Sequence, residues 1–128
     1  MKALFAALIA VAAAAPLTAA NAEAPSADSA APTIYFESCF AMASADGMAE
    51  DKADAKCTCA VDVMTEELNE REFYLVARLW RAFAFQLDPA VERAEITSAR
   101  GYSDAEFDAM LPRLGELGKR ADKACSGR

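Results

Sequence analysis

The sequence predicts an all-α domain, a compact bundle of four to five helices joined by two disulfides, which follows a cleaved signal peptide. Three observations support this fold class. Apolar residues recur at the three- and four-residue spacing of helices, with no alternating strand pattern. Helix-capping residues separate the apolar stretches. The chain carries four cysteines, an even number, after an apolar leader.

Residues 1–22 have the composition of a signal peptide. Lys2 supplies a positive start, and the apolar run Ala3–Ala15 is 13 residues long, the usual length of a signal-peptide core. Pro16 ends that run, and Ala20-Asn21-Ala22 is a small-x-small cleavage sequence. We therefore expect export, to the periplasm or outside the cell, and a mature chain that begins at Glu23 without a membrane span.

Charge and composition exclude several kinds of function. The 106 residues after the predicted cleavage contain 12 basic and 20 acidic residues, a net charge of −8. Such a domain is a poor partner for nucleic acid or anionic lipid. Histidine is absent, which excludes histidine-based catalysis, histidine zinc sites and CxxCH haem attachment. No nucleophile motif, phosphate loop or calcium spacing is present either, so the sequence predicts no enzyme, catalytic residue, metal ligand or cofactor.

The domain proper is expected over residues 33–128. Residues 23–32 are small and proline-containing, which predicts a disordered lead-in. Helix 1 is predicted from about Thr33, its N-cap, to Ala45, with Gly47 in the following turn. Its apolar face is predicted from the helical spacing of four residues, Phe36, Cys39, Phe40 and Ala43.

Helix 2 is predicted from about Lys52 to Leu68, with Asp51 as its N-cap. Its core face includes Cys57, Ala60, Val61, Met64 and Leu68. Cys59 lies two residues after Cys57 and therefore points about 200° away from that face. The same helix can thus be crosslinked on two opposite sides.

Helix 3 is predicted from a capping box, Asn69 with Glu72, to Leu87. It is apolar around most of its circumference, which indicates a central position. Arg78 and Arg81 are its main polar breaks. The largest buried areas are expected from Trp80, Phe83 and Phe85.

Two further helices are predicted after Asp88. Asp88 is an N-cap with Pro89 in the first turn, and this short helix is expected to run to about Ser98, before Gly101. Ser103 and Glu106 form a second capping box, which starts a helix that continues to Cys125. Pro112 is expected to kink or split that last helix near Leu111.

The cysteines are predicted to be structural. Cys57 and Cys59 diverge on a helix, so each should pair with a distant partner. A hairpin of helices 1 and 2 favours Cys39–Cys57 and Cys59–Cys125, while spacing alone leaves Cys39–Cys59 with Cys57–Cys125 open. Two rival chemistries use the same residues. The CxC pair could exchange thiols, or it could bind a soft metal such as copper together with three methionines, Met42, Met48 and Met64.

Three stretches resemble a group of small exported bacterial helical proteins. They are Phe36–Cys39, Lys56–Val61 and Thr65–Leu68. That group shows one cysteine, then CxC, then a late cysteine. The resemblance covers about half of the mature chain, and it implies a fold and a compartment more than an activity.

Three hypotheses for function follow from these residues. The first is an exported, disulfide-stabilised helical module with a binding or structural role, whose protein partner is unknown. The second is a carrier of a small apolar ligand or lipid, held in a cavity of the bundle. The third is a thiol-redox or copper-handling protein that uses Cys57 and Cys59.

Overall fold

The computed structural model describes residues 23–127 as a bundle of five helices. They are α1 (Ala31–Ala45), α2 (Glu50–Glu67), α3 (Glu70–Ala84), α4 (Pro89–Arg100) and α5 (Asp104–Cys125). Helix α1 packs mainly on α3, and α2 lies against both α1 and α5. This all-α arrangement confirms the predicted fold class. The predicted signal peptide lies outside the described residues.

Local capping signals place most helix ends. The capping boxes of Asn69 with Glu72 and Ser103 with Glu106 are both formed, each with two reciprocal hydrogen bonds. Asp88 accepts a hydrogen bond from the amide of Ala90, and Gly101 ends α4 in the left-handed region at φ 74°. At α1 and α2 the helix begins earlier than predicted, at Ala31 and Glu50, and neither start has a side-chain cap. Thr33 and Asp51 lie inside the helices.

Both favoured disulfides are present. Cys39 is bonded to Cys57 with Cα atoms 5.7 Å apart, and Cys59 is bonded to Cys125 with Cα atoms 5.8 Å apart. The prediction of two bonds on opposite sides of one helix is confirmed. Helix α2 is thereby joined covalently to α1 on one side and to the end of α5 on the other. The two bonds prevent α2 from rotating about its axis, and they fix its position relative to α1 and α5.

The buried face of α1 differs from the predicted one. Ile34, Tyr35 and Ser38 are buried, whereas Phe36 and Phe40 are only partly covered. Ser38 satisfies its hydroxyl by donating to the Ile34 carbonyl, at 2.7 Å. Because α1 is apolar on nearly all sides, its contact with α3 selects the inward face.

Helix α3 also departs from its sequence pattern. Arg78, predicted as a polar break, is 1% exposed, and Phe83, predicted as core, is 70% exposed. Trp80 and Phe85 are half-buried, and Trp80 packs against the core, so Phe83 is the aromatic whose burial was predicted wrongly. The helix also ends at Ala84 rather than Leu87. The core contains aromatic and aliphatic residues from all five helices, and its aliphatic members include Ile34, Met64, Val76, Ile96 and Leu117.

Arg78 is buried because α4 brings acidic residues to it. Its guanidinium lies 3.1 Å from a Glu92 oxygen and 2.7 Å from a Glu95 oxygen, and it donates to the Tyr74 hydroxyl at 2.7 Å. Arg81 also donates to Glu92, at 2.8 Å. Within α4, Ile96 is the buried apolar residue. The ion cluster is therefore the main polar attachment of α4 to α3.

Helix α5 is continuous from Asp104 to Cys125, with Pro112 inside it. The predicted split near Leu111 does not occur. Because the helix is continuous, its last residue, Cys125, lies close enough to Cys59 to form the second disulfide.

Among residues 23–127, no helix combines the length and the apolar character that a bilayer crossing requires.

Candidate functional site

The described residues form an open groove of about 910 Å³. It lies where the lead-in meets the start of α1, the end of α2, the start of α3 and the loop after α4. Apolar side chains of Ala31, Leu68 and Phe73 line it, together with the rings of Tyr74 and Tyr102. A large, mainly apolar pocket with a few polar groups is the usual form of a binding site. We therefore take this groove, named here the Arg/Tyr groove, as the candidate site.

Four side chains form a continuous stack along the Arg/Tyr groove. The Arg71 guanidinium lies 4.0 Å from the centroid of the Tyr102 ring. Tyr102 stacks on Tyr74 with centroids 6.1 Å apart, and the Arg100 guanidinium lies 5.6 Å from the Tyr74 centroid. Cations are attracted to the faces of aromatic rings, so each arginine is held by the ring beside it.

Hydrogen bonds fix the two tyrosine rings of this stack. The Tyr102 hydroxyl donates to the Arg71 carbonyl at 2.8 Å, and the Tyr74 hydroxyl donates to the Ala27 carbonyl at 2.8 Å. Both phenol groups therefore have partners within the fold. What they present to the groove is mainly the apolar body of each ring, which suits a ligand with apolar groups.

The lead-in forms one wall of the groove, contrary to the prediction that it is disordered. The Pro25 carbonyl accepts from Arg81 Nε at 2.8 Å, and the Ala27 carbonyl accepts from Tyr74. Asp28 pairs with Arg100 at 2.6 Å. These bonds hold the segment through its main-chain oxygens, and they carry Ser29 and Ala30 to the edge of the groove.

The electrostatics of the groove differ from those of the acidic chain as a whole. Arg71, Arg100 and Glu70 are its charged lining residues. The start of α1 adds positive character, because its N-cap Ala30 offers no side-chain acceptor and its first turn contains no acidic residue. The positive end of the α1 dipole and the two arginines all favour an anionic group.

Each arginine retains unused hydrogen-bonding capacity. Arg71 donates Nε and Nη2 to Glu106, at 2.7 and 2.9 Å, and Nη2 also donates to the Gly101 carbonyl. Arg100 donates Nη2 to Asp28 and the Ala27 carbonyl. In neither case does Nη1 donate to an atom of residues 23–127. The Nη1 group of each arginine can therefore donate a charge-assisted hydrogen bond to a ligand carboxylate.

The Arg71–Glu106 pair predicts a measurable pH effect. Hydrogen bonds from the Arg71 side chain and from the Ser103 amide lower the pKa of Glu106 to about 2. A lowered carboxyl pKa stabilises the fold above the unfolded-state value, and this contribution disappears as the pH falls through the folded-state value. We expect a carboxyl NMR titration to give a Glu106 pKa of about 2, and Arg71→Gln to raise it toward 4.5.

The matched control for this titration is Arg113→Gln, since Arg113 pairs with Glu72 and not with Glu106. It should leave the Glu106 pKa unchanged. An ordinary Glu106 pKa in the wild-type protein would mean that the Arg71 pair does not persist in solution.

The cysteines and methionines singled out in the sequence do not converge on one site. All four cysteines are in disulfides, so residues 23–127 contain no free thiol. Met64 is fully buried in the core, while Met42 and Met48 line a smaller second cavity. No cluster of three or more histidine, cysteine or acidic side chains suited to a metal occurs in this part of the chain.

The chain was compared with protein families, with curated proteins and with solved structures. No match was found in any of the three comparisons. The interpretation of the groove therefore rests on its own geometry.

Sequence reasoning missed the residues of the Arg/Tyr groove, although a signal was present. Arg71, Tyr74, Arg78 and Arg81 recur at three- and four-residue spacing, so they lie on one face of α3. A face that combines arginines with a tyrosine differs from an ordinary solvated face, because both types of side chain pack as well as hydrogen-bond. Tyr102, directly after the Gly101 turn, is the partner that only the fold brings to this face.

Proposed function

We propose that this chain is an exported, disulfide-stabilised helical binding module, and that the Arg/Tyr groove is its binding site. The observation that carries the proposal is the stack of Arg71, Tyr102, Tyr74 and Arg100 along a groove of about 910 Å³. Stacked aromatic rings beside arginines are typical of binding hot spots.

The proposed ligand is an extended segment of a protein partner that combines acidic and apolar side chains. The open form of the groove suits a chain that enters and leaves it, and its apolar lining suits aliphatic or aromatic side chains. Arg71, Arg100 and the start of α1 favour carboxylates. The acidic remainder of the domain repels acidic segments elsewhere, which directs such a ligand to the groove.

The proposed export rests on the signal-like sequence of residues 1–22 and on the disulfides. Disulfides persist in oxidising compartments, and both bonds here connect distant parts of the chain. The predicted start at Glu23 lies two residues before Pro25, whose carbonyl accepts a hydrogen bond from Arg81. The thiol-redox alternative receives no support, since no cysteine thiol is free.

Expression in a Gram-negative host tests the proposed export. The protein should be recovered from the periplasm, with an intact mass that corresponds to a start at Glu23.

Fluorescence anisotropy with labelled peptides tests the proposed binding function. The probe is a capped heptapeptide that alternates leucine or phenylalanine with glutamate, and its matched control has lysine in place of every glutamate. We expect binding of the glutamate peptide only, and weaker binding at high salt.

The variant Arg71→Gln/Arg100→Gln should weaken binding of the glutamate peptide by at least about tenfold, because both charge-assisted contacts are lost. Arg113→Gln removes an arginine outside the groove and should leave binding unchanged. Equal binding of the lysine peptide, or no binding of either peptide, would refute the proposal. If laurate binds in an arginine-dependent way and the peptides do not, the carrier hypothesis takes its place.

A further inference from the structure

A second cavity, separate from the Arg/Tyr groove, lies between the two disulfides. Its volume is about 220 Å³, and side chains of α1, α2, α3 and α5 line it. Cys39 and Cys125, one from each disulfide, are part of its wall. It shares no lining residue with the groove. We call it the inter-disulfide cavity.

The size of the inter-disulfide cavity limits what it can hold. An apolar protein cavity of about 150 Å³ accommodates benzene. A cavity of about 220 Å³ therefore suits a single ring with a short substituent, or an aliphatic molecule of similar size. It is too small for a lipid chain with its headgroup.

Its walls are mainly apolar and include adaptable side chains. Met42 and Met48 line it beside the ring of Trp80. Methionine side chains adjust to irregular shapes and contact aromatic rings favourably. These two residues do not belong to the core cluster, so their presence at the cavity accounts for two methionines that core packing leaves unexplained.

Tyr35 gives the inter-disulfide cavity an unused polar group. The residue is 6% exposed, and its ring is held edge-on by Phe73 and Trp80 at centroid distances of 5.8 and 6.5 Å. Its hydroxyl makes no hydrogen bond with any atom of residues 23–127. Burial, and then the nearby charge of Asp122, raise its pKa to about 12, so the hydroxyl keeps its proton. The hydroxyl is therefore a free donor at the cavity wall, available to a ligand.

Asp122 lies at the same cavity and forms no ion pair with residues 23–127. A ligand hydroxyl can accept a hydrogen bond from Tyr35 and donate one to the Asp122 carboxylate. Asp46 and Lys56 are the other charged lining residues, so the local charge disfavours an anionic ligand. A neutral hydroxyl compound satisfies both polar groups without such repulsion.

We propose that the inter-disulfide cavity binds a small, neutral, mainly apolar molecule that carries one hydroxyl group, such as an alkylphenol or a short alcohol. The hydroxyl bridges Tyr35 and Asp122, and the apolar body lies against Met42, Met48 and Trp80. This site is independent of the Arg/Tyr groove, and its occupant is of a different chemical class.

Two nearly isosteric probes test the proposal. 4-Ethylphenol and 4-ethyltoluene differ in one hydroxyl, which is a methyl group in the second. Binding is followed by NMR of protein labelled at its methionine methyl groups, and by fluorescence of Trp80, the single tryptophan. We expect 4-ethylphenol to shift the methyl signals of Met42 and Met48, with those of Met64 and Met110 unchanged. It should bind about tenfold more tightly than 4-ethyltoluene, the effect of one or two good hydrogen bonds.

Two kinds of variant test the Tyr35 hydroxyl and the space of the cavity separately. Tyr35→Phe should weaken 4-ethylphenol binding by about tenfold and leave 4-ethyltoluene unaffected. Gly118 lines the cavity and Gly115, one helical turn earlier, does not; a Cβ at either position meets no atom within 4 Å. Gly118→Leu should abolish binding of both probes, and Gly115→Leu should not. Equal affinity of the two probes for the wild-type protein, or unchanged Met42 and Met48 signals at saturating probe, would overturn the proposal.

Discussion

Replacing Cys59 and Cys125 together by alanine is expected to lower the free energy of unfolding by about 4 kcal/mol. The bond closes a loop with a sequence separation of 66, and without it the unfolded chain gains the corresponding conformational freedom. For a domain of this size, that amount is a large fraction of the net stability. Denaturant unfolding of the oxidised variant, followed by far-ultraviolet circular dichroism, measures the loss.

The matched variant Cys39→Ala/Cys57→Ala opens a loop with a sequence separation of 18 and should lose about 3 kcal/mol. Before either measurement, mass spectrometry of a digest of the non-reduced protein should show the two bonds. Fragmentation of the peptide backbone between Cys57 and Cys59 then assigns each cysteine to its partner. A variant that loses less than about 1 kcal/mol would show that the loop-closure account does not apply here.

Replacing Arg78 by methionine is expected to destabilise the fold by about 3 kcal/mol, the usual cost of removing one member of a buried ionic cluster. Methionine fills much of the same volume, so the effect is chiefly electrostatic. Glu95 loses its closest pair, at 2.7 Å, and Glu92 keeps only Arg81. The Tyr74 hydroxyl loses the hydrogen bond that Arg78 donates to it. Because Arg78 attaches α4, amide hydrogen exchange should accelerate in Pro89–Arg100 before it does in α2.

Arg113→Met is the control for this variant, because its pair with Glu72 lies at the surface. Surface pairs contribute at most about 1 kcal/mol, so a small loss is expected. Comparable losses for the two arginines, or uniform exchange across all helices in the Arg78 variant, would contradict the role assigned to the buried cluster.

The features that could be predicted from the sequence are those encoded by neighbouring residues. Capping at Asn69, Asp88 and Ser103 depends on bonds spanning two or three positions, so the residue types suffice. Helix geometry predicted that Cys57 and Cys59 bond to different partners, since residues two apart on a helix point in different directions. The hairpin of the first two helices favoured the observed pairs, although spacing alone left the swapped pairing open. Once these are known, the order and approximate lengths of the helices follow.

The features that could not be predicted depend on contacts between segments that are distant in the sequence. Helix α1 offers more than one apolar face, and α3 selects the one with Ile34 and Tyr35. Arg78 is buried only because Glu92 and Glu95 arrive from another helix. The lead-in is held through carbonyl oxygens of Pro25 and Ala27, and since every residue has a carbonyl, composition does not reveal such contacts.

The two crosslinks on α2 have a consequence for resistance to proteolysis. A cut anywhere in residues 40–56 leaves both pieces tethered through Cys39–Cys57, and a cut in residues 60–124 leaves them tethered through Cys59–Cys125. Between Cys39 and Cys125, only scission of a peptide bond beside Thr58 separates the chain into two free fragments. Those bonds lie within the hydrogen-bonded middle of α2, where a protease cannot reach them unless the helix unwinds.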